Sequence, residues 1–483
     1  MSRLAPARRA ALRLLGNARR RKARVRDLAR DDAGMRELKP ADRALAMRLV
    51  MGTTSAEAVL DRLVDERLRR PSSLEPRVRD ALRMAAFEIC YLDTPDAVAA
   101  SQGVELVRSV APRAAGLANA VLRALVTQAK PQVDAARILV ARACAPESAS
   151  DDERAGDVTP DTLSLASGIP AWLCERILCD RGVSAACGLC ASQLEPAPLF
   201  VAANGLRHTA DSLFALLADA GMEPRETSGL AGSFVLGNPG PLVGSGMVER
   251  VDLVVSDRSA QLVCRLAESD EPGELLEIGQ GRGTKSLLLA SACDAIHPTR
   301  IVGVDTVPYK VRVTRRRMET AGLADVVSPL EFDACALVGE NLPPVLDRVF
   351  PVVLVDAPCS GTGTMRRHPE ICSSLAGSDV QELAALQLRM LSAAASRVAA
   401  GGVLLYATCS VLREEDEAVV QAFLASDAGA GFSVEPVVQA PACQRSDALA
   451  SAVSAAQTEE GFLLTTPTLG GGDGHFCARL RRV

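Results

Sequence analysis

Two cysteines stand in segments whose residue types and placement suit covalent chemistry. Asp356-Ala357-Pro358-Cys359-Ser360-Gly361 follows the apolar run Val352 to Val355, and Ala407-Thr408-Cys409-Ser410 follows Gly402 to Tyr406. Each run reads as a buried parallel strand. Open α/β sheets hold their ligands beyond the carboxyl ends of the strands, so two thiols would be presented there side by side. A thiolate is a nucleophile and a metal ligand, depending on what surrounds it. Cysteine also packs as a small hydrophobe, and Cys90, Cys144, Cys264, Cys293, Cys335, Cys372, Cys443 and Cys477 read that way. Cys174, Cys179, Cys187 and Cys190 include a Cys187-Gly188-Leu189-Cys190 spacing that could suit zinc. They fall on apolar helical patterns, so core packing is expected and no metal.

A second constellation precedes the thiols. The run Glu274 to Ile278 reads as a strand and is followed by Gly279, Gln280, Gly281, Arg282, Gly283, Thr284 and Lys285, a glycine-spaced loop opening a helix. Glycine lets backbone approach a ligand closely, and a helix start offers free amide groups. The next strand ends in Asp305, 28 residues after Glu277, where an adenosine ribose would be held by its hydroxyls. Asp333, after a third strand, suits the adenine side of the same nucleoside. The glycine spacing is not that of a dinucleotide site, so adenosine without pyrophosphate is preferred over NAD.

These residues need a sheet to bring them together. Strand-like runs recur at Glu274 to Ile278, Arg300 to Val304, Val326 to Glu331, Val352 to Val355 and Gly402 to Tyr406. Helical patterns lie between them at Lys285 to Ala292, Pro308 to Ala321, Gln381 to Ala399 and Glu414 to Ala425. That alternation predicts a doubly wound parallel sheet over residues 251–483. Gly461 to Pro467 and His475 to Leu480 read as two further strands joined by the turn Gly470 to Gly474. Residues 1–130 are helical throughout, with apolar spacings of three and four from Ala10 to Val126 and breaks at Lys39-Pro40, Arg70-Pro71 and Thr94-Pro95. Residues 131–160, with the polar run Glu147 to Asp157, read as a linker. Residues 161–250 read as a small α+β segment.

The charge is uneven. Across 483 residues the net charge is −5, yet Met1 to Arg30 holds eleven basic residues and one acid, Asp27. Such a face suits a polyanion, and Arg366 and Arg367 read as further phosphate contacts. No apolar stretch is long enough for a membrane span. The start shows no apolar signal core, so a reduced, cytoplasmic protein and a monomer are expected.

Asp356 to Gly361, with Thr362-Gly363-Thr364-Met365-Arg366-Arg367-His368-Pro369-Glu370 and Thr408-Cys409-Ser410, resembles the RNA cytosine-5 methyltransferase family. Ser256-Asp257-Arg258-Ser259-Ala260-Gln261-Leu262 looks like that family's entry helix. Leu60-Asp61 and Ala118-Asn119-Ala120-Val121-Leu122-Arg123 are similar to a NusB-like RNA-binding domain. This fusion resembles the RsmB (Sun) subgroup. The resemblance implies a Rossmann-like domain using S-adenosylmethionine, a cytosine of 16S ribosomal RNA as substrate, Cys409 as nucleophile, Cys359 in release, and Asp356 hydrogen-bonded to the base. It also carries cofactor binding onto Glu277, Gly279 to Lys285, Asp305, Asp333 and Asp356.

The first motif departs from the family's Asp-x-Cys-Ala-Ala-Pro-Gly-Gly-Lys-Thr. Here Gly279, Gln280, Gly281, Arg282 and Gly283 fill the middle, and a carboxylate, one glycine and the lysine are kept. Two alternatives stay open at this stage: transfer RNA as substrate, or a non-catalytic RNA-binding factor of antitermination or ribosome assembly.

Overall fold

The computed structural model describes residues 4–144, 158–270, 273–293, 296–468 and 470–483. The polar run Glu147 to Asp157 lies outside the described residues. Two compact units emerge: residues 1–196 with 365–375, and residues 197–364 with 376–483.

The first unit is helical. Proline occupies the first position of helices Pro6–Arg21, Pro40–Ser55, Pro76–Tyr91 and Pro160–Ser167, where its fixed φ favours the helix and its missing N–H costs nothing. The breaks expected at Lys39-Pro40 and Arg70-Pro71 are therefore starts, of a helix and of a short 3-10 turn. One apolar core joins these helices to Asp96–Val110 and Ala115–Ala124. Packing is close enough that a Cβ on Gly52 would fall 1.9 Å from Phe87. Arg8, one of the basic residues of the N-terminal run, turns inward to pair with the buried Glu88, so the cationic face is narrower than the sequence implies.

Chain organisation differs from the composition-based boundaries at two places. Residues 130–143 form helix Lys130–Ala143, with Val133 and Val140 buried, rather than a linker. Helix Ala171–Gln193, interrupted at Gly182 (φ 75°, ψ 175°), belongs to the helical unit and not to the small α+β segment. Cys174, Cys187 and Cys190 are buried on it while Cys179 is exposed.

The second unit carries two sheets. The smaller has β1 (Leu199–Ala203), β2 (Pro224–Glu226), β3 (Ser233–Leu236) and β4 (Leu253–Val255) in the order β2-β3-β1-β4, all antiparallel. The larger contains β5 (Glu274–Ile278), β6 (Arg300–Asp305), β7 (Val327–Glu331), β8 (Phe350–Asp356), β9 (Val398–Thr408), β10 (Phe432–Val434), β11 (Leu463–Thr465) and β12 (His475–Arg482). Its order is β10-β12-β9-β8-β5-β6-β7, with β11 also on β12. The strands β7-β6-β5-β8-β9 run parallel and β12 runs antiparallel to β9.

Alternation along the strands fills both faces. Leu275, Val352, Leu354, Val403 and Leu405 enter one core, and Leu276, Val353, Val355, Leu404 and Tyr406 enter the other. A sheet buried on both sides needs near-continuous apolar strands, which is why these runs were legible. Strand order reverses beside β5, so the crevice falls between the carboxyl ends of β5 and β8.

Candidate active site

Register brings the two thiol segments together. Asp356 of β8 lies opposite Ala407 of β9, so the loops carrying Cys359 and Cys409 leave adjacent strands at the same level. Their sulfurs stand 3.2 Å apart, and the Cys409 N–H donates to Cys359 Sγ at 3.3 Å. The Gly363 N–H donates to the Cys409 carbonyl at 2.9 Å, binding the first loop to the second. The Cys359 pKa is raised, first by the hydrogen bond it shares with Cys409 and then by burial.

A buried carboxylate that the sequence reading missed holds both loops. Glu415 is fully buried. It accepts from the Ser360 N–H at 2.7 Å, Ser410 Oγ at 2.7 Å and Gln387 Nε2 at 3.1 Å, and also from Ser360 Oγ. Charge-assisted hydrogen bonds of this kind are about twice as strong as neutral ones. In sequence Glu415 sits within Arg413-Glu414-Glu415-Asp416, a charge run that reads as solvated. Its only sequence signal is its position six residues after Cys409.

Lys285, from the glycine-loop helix Thr284–Ser291, reaches across the switch point. Its Nζ is 2.6 Å from Asp356 Oδ2. Burial alone would lower the ammonium pKa, but the Asp356 carboxylate overrides it and the pKa is raised. A fixed cation therefore stands beside the carboxylate that ends β8. His475, at the start of β12, is buried, and burial followed by the neighbouring Lys285 charge lowers its pKa.

The glycine loop works through backbone. Gly279, Gly281 and Gly283 have φ of 78°, 61° and 73°. A Cβ on Gly279 would fall 2.1 Å from the Asp356 carbonyl oxygen, and one on Gly283 2.5 Å from Thr314 Cγ2. Asp305 fixes this loop by accepting from the Gly281 N–H at 3.0 Å, and it also accepts from the Val307 N–H at 2.8 Å. Glu277 and Gln280 turn away into the interior: Gln280 Nε2 donates to Ser286 Oγ at 2.9 Å, and Ser286 Oγ donates to Glu277. Burial pushes the Glu277 carboxyl up to about 7. Arg282 is exposed, and its carbonyl accepts from Arg317 Nη1 at 2.6 Å. Asp333 is exposed beyond β7 and accepts from the Cys335 N–H at 3.0 Å. Thr284 Oγ1 accepts from Arg317 at 3.2 Å. Thus Asp356, Cys359, Cys409 and Lys285 converge, and Glu277 and Gln280 support the loop from behind. Arg366 is buried and Arg367 half-buried, so neither is a solvated loop charge.

Comparison with known proteins decides the family. Residues 272–481 match the family model of the 16S rRNA methyltransferase RsmB/F, and residues 5–127 match the NusB family. The ribosomal RNA small subunit methyltransferase B of Thermus thermophilus is 32% identical over 452 residues, covering 92% of this chain and 89% of that protein. The chain belongs to the ribosomal RNA small subunit methyltransferase B family. The member from Escherichia coli O6:K15:H31 is 28% identical over 80% of this chain and 83% of its own length. Among solved structures, PH0851 superposes with a TM-score of 0.71 at 19% identity, covering 100% of both chains. NSun6 from Pyrococcus horikoshii with SFG gives 0.51 at 15% identity, covering 65% of this chain and 98% of its own. At such identities the likeness shows the fold.

S-adenosylmethionine is the cofactor of this methyltransferase family. The strand ends fit it. A Cβ on Gly281 would meet nothing nearer than 3.8 Å, so space opens in front of that backbone. Asp305 ends β6 and Asp356 ends β8, on either side of β5, and Asp333 follows β7 by two residues; these carboxylates are acceptors suited to ribose hydroxyls and an ammonium. The departures from the usual first motif thus fall where backbone, not side chain, lines the loop.

Proposed function

We propose that this chain methylates carbon 5 of a cytosine in 16S ribosomal RNA through a covalent adduct with Cys409. The observation that carries the reading is the pair of sulfurs 3.2 Å apart beside an Asp356–Lys285 ion pair. Carbon 5 of cytosine is a poor nucleophile. Addition of the Cys409 thiolate to carbon 6 pushes the ring electrons onto carbon 5, which then attacks a methyl group. S-adenosylmethionine supplies that methyl on an electrophilic sulfonium. Asp356 accepts from the exocyclic amino group, and Lys285 opposes the negative charge that develops on the ring. After transfer, Cys359 assists loss of the carbon 5 proton by relay, giving its own thiol proton to water as it takes the one from carbon 5. The electrons of that C–H bond restore the ring double bond and expel the Cys409 thiolate. The target base reaches these groups unstacked. Asp305 and Asp333 hold the adenosine, with Gly279 to Lys285 around the methionine end.

Family membership, the NusB match and the 16S names of the relatives support ribosomal RNA over transfer RNA. Retention of both thiols, Asp356 and Lys285 supports catalysis over a binding role. Bisulfite sequencing of total RNA with and without the gene tests the substrate. The expected result is one methylcytosine lost from 16S RNA; loss confined to transfer RNA would overturn it.

A further inference from the structure

Within the helical unit, a cavity of about 440 Å³ opens beside the end of helix Pro6–Arg21. That is the size of sites that hold nucleotide-sized ligands. Leu15, Ala18 and Val25 give it an apolar floor, and Glu57 and Glu370 stand in its walls. Lys22, left-handed at the helix C-cap and exposed, sits at its edge and makes no ion pair among the described residues. Thr53 also lines it. That residue is 3% exposed, and its Oγ1 has no hydrogen-bond partner among the described residues. A buried hydroxyl left unpaired is costly, so the wall holds polar capacity the protein itself does not use.

We propose that this cavity takes one unstacked nucleotide of the RNA substrate, at a site separate from the target cytosine. The inference rests on the RNA methyltransferase reading above. An apolar floor suits the face of a base, Glu57 and Glu370, which also pair with Arg83 and Arg24, have acceptor capacity left for its amino and imino edges, and Lys22 meets its phosphate. Arg20 and Arg21, exposed at the same helix end, meet flanking phosphates, which selects a nucleotide within a chain over a free one. Glu370 and Ser373 belong to the segment that follows the Cys359 loop and packs within the helical unit. The docked nucleotide therefore touches the part of the chain that leads back to the catalytic thiol.

The test is direct binding of a 16S RNA transcript to the full-length chain by filter retention, with methylation read separately. Ala23→Phe fills the cavity mouth without altering charge. It should weaken RNA binding about tenfold, the scale of one lost base stack, leaving the salt slope and S-adenosylmethionine affinity unchanged. Lys22→Gln should lower the salt slope by about one. Thr53→Val preserves shape and removes the hydroxyl, and should weaken binding by about threefold at unchanged slope; it decides alone if Ala23→Phe does not fold. Unchanged RNA affinity in the folded cavity variants would overturn the site. A wild-type chain that binds the transcript but does not methylate it would refute the catalytic reading and leave the cavity still tested by affinity.

Discussion

The two loops flanking the switch point achieve rigidity by opposite means. At the Gly279–Lys285 loop the side chains of Gln280 and of Glu277, from the end of β5, face inward and the positive-φ glycines shape the surface. In the loops bearing Cys359 and Cys409 the side chains themselves are presented, and buried Glu415 ties their backbones and hydroxyls together. Where backbone makes the site, residue identity drifts as long as the conformation is kept. Where a sulfur does the chemistry, it cannot. This explains why the first motif departs from its family pattern while both cysteine motifs do not.

The sharpest way to break that contrast is to remove the thiols. Cys409→Ala should lower methylation by on the order of 10³-fold or more and form no RNA adduct. Cys359→Ala should still add Cys409 to the base and transfer methyl, then stall. Turnover should fall about 10² to 10⁴-fold, the range for a lost acid–base group. An RNA–protein band that survives denaturing electrophoresis in Cys359→Ala alone is the expected result. A band in Cys409→Ala alone would reverse the roles.

Next in size is the tie between the loops. Glu415→Gln keeps the shape but replaces an acceptor of four donors with an amide that must also donate. Hydrogen bonds to charged groups contribute about 1.5–3 kcal/mol each, and partial loss of several should lower the melting temperature. Because the thiol geometry loosens, kcat should fall about tenfold or more, with S-adenosylmethionine affinity held. Equal kcat in a less stable variant would make Glu415 purely structural.

On the backbone side, Gly279→Ala and Gly281→Ala should separate. Both add left-handed strain of about 1–2 kcal/mol, but only the Gly279 Cβ meets backbone, at 2.1 Å from the Asp356 carbonyl. Gly279→Ala should therefore weaken S-adenosylmethionine binding by about tenfold or more and disturb Asp356. Gly281→Ala should change stability by no more than its strain. Calorimetric titration of both variants checks the order.

What the sequence disclosed follows the same line. Strand β5 and helix Pro308–Ala321 appear with the expected bounds because a doubly covered sheet demands unbroken apolar runs and Gly322 closes the helix in the left-handed region. The thiols and Asp356 were legible because rare residue types recur at strand ends. Strands β4 and β10, three residues each, carry no periodicity to detect. Glu415 was hidden because burial of an acid depends on donors brought from Ser360 and Gln387, 55 and 28 residues away. The inward turn of Glu277 was equally hidden: its position at the end of β5 suited a ligand, but the side chain fills the space beneath the loop.

That buried carboxyl acts on stability and leaves turnover alone, and it tests whether the loop is supported from behind. Glu277 is fully buried, and burial raises its pKa from 4.5 to about 7, against the opposing hydrogen bond from Ser286. Between those values the folded chain binds a proton that the unfolded chain has released, so stability must fall as pH rises. The contribution is fully present below about pH 4.5 and is lost by the time pH passes about 7. A folded-state shift of that size corresponds to about 3 kcal/mol across the window. Glu277→Gln, neutral throughout, should flatten this part of the stability curve and leave the variant more stable than the parent at pH 8. Denaturant midpoints measured at intervals from pH 5 to 8 check it. Parallel curves for parent and variant would mean that Glu277 is ionised in the folded chain, with its charge met by a partner at the loop.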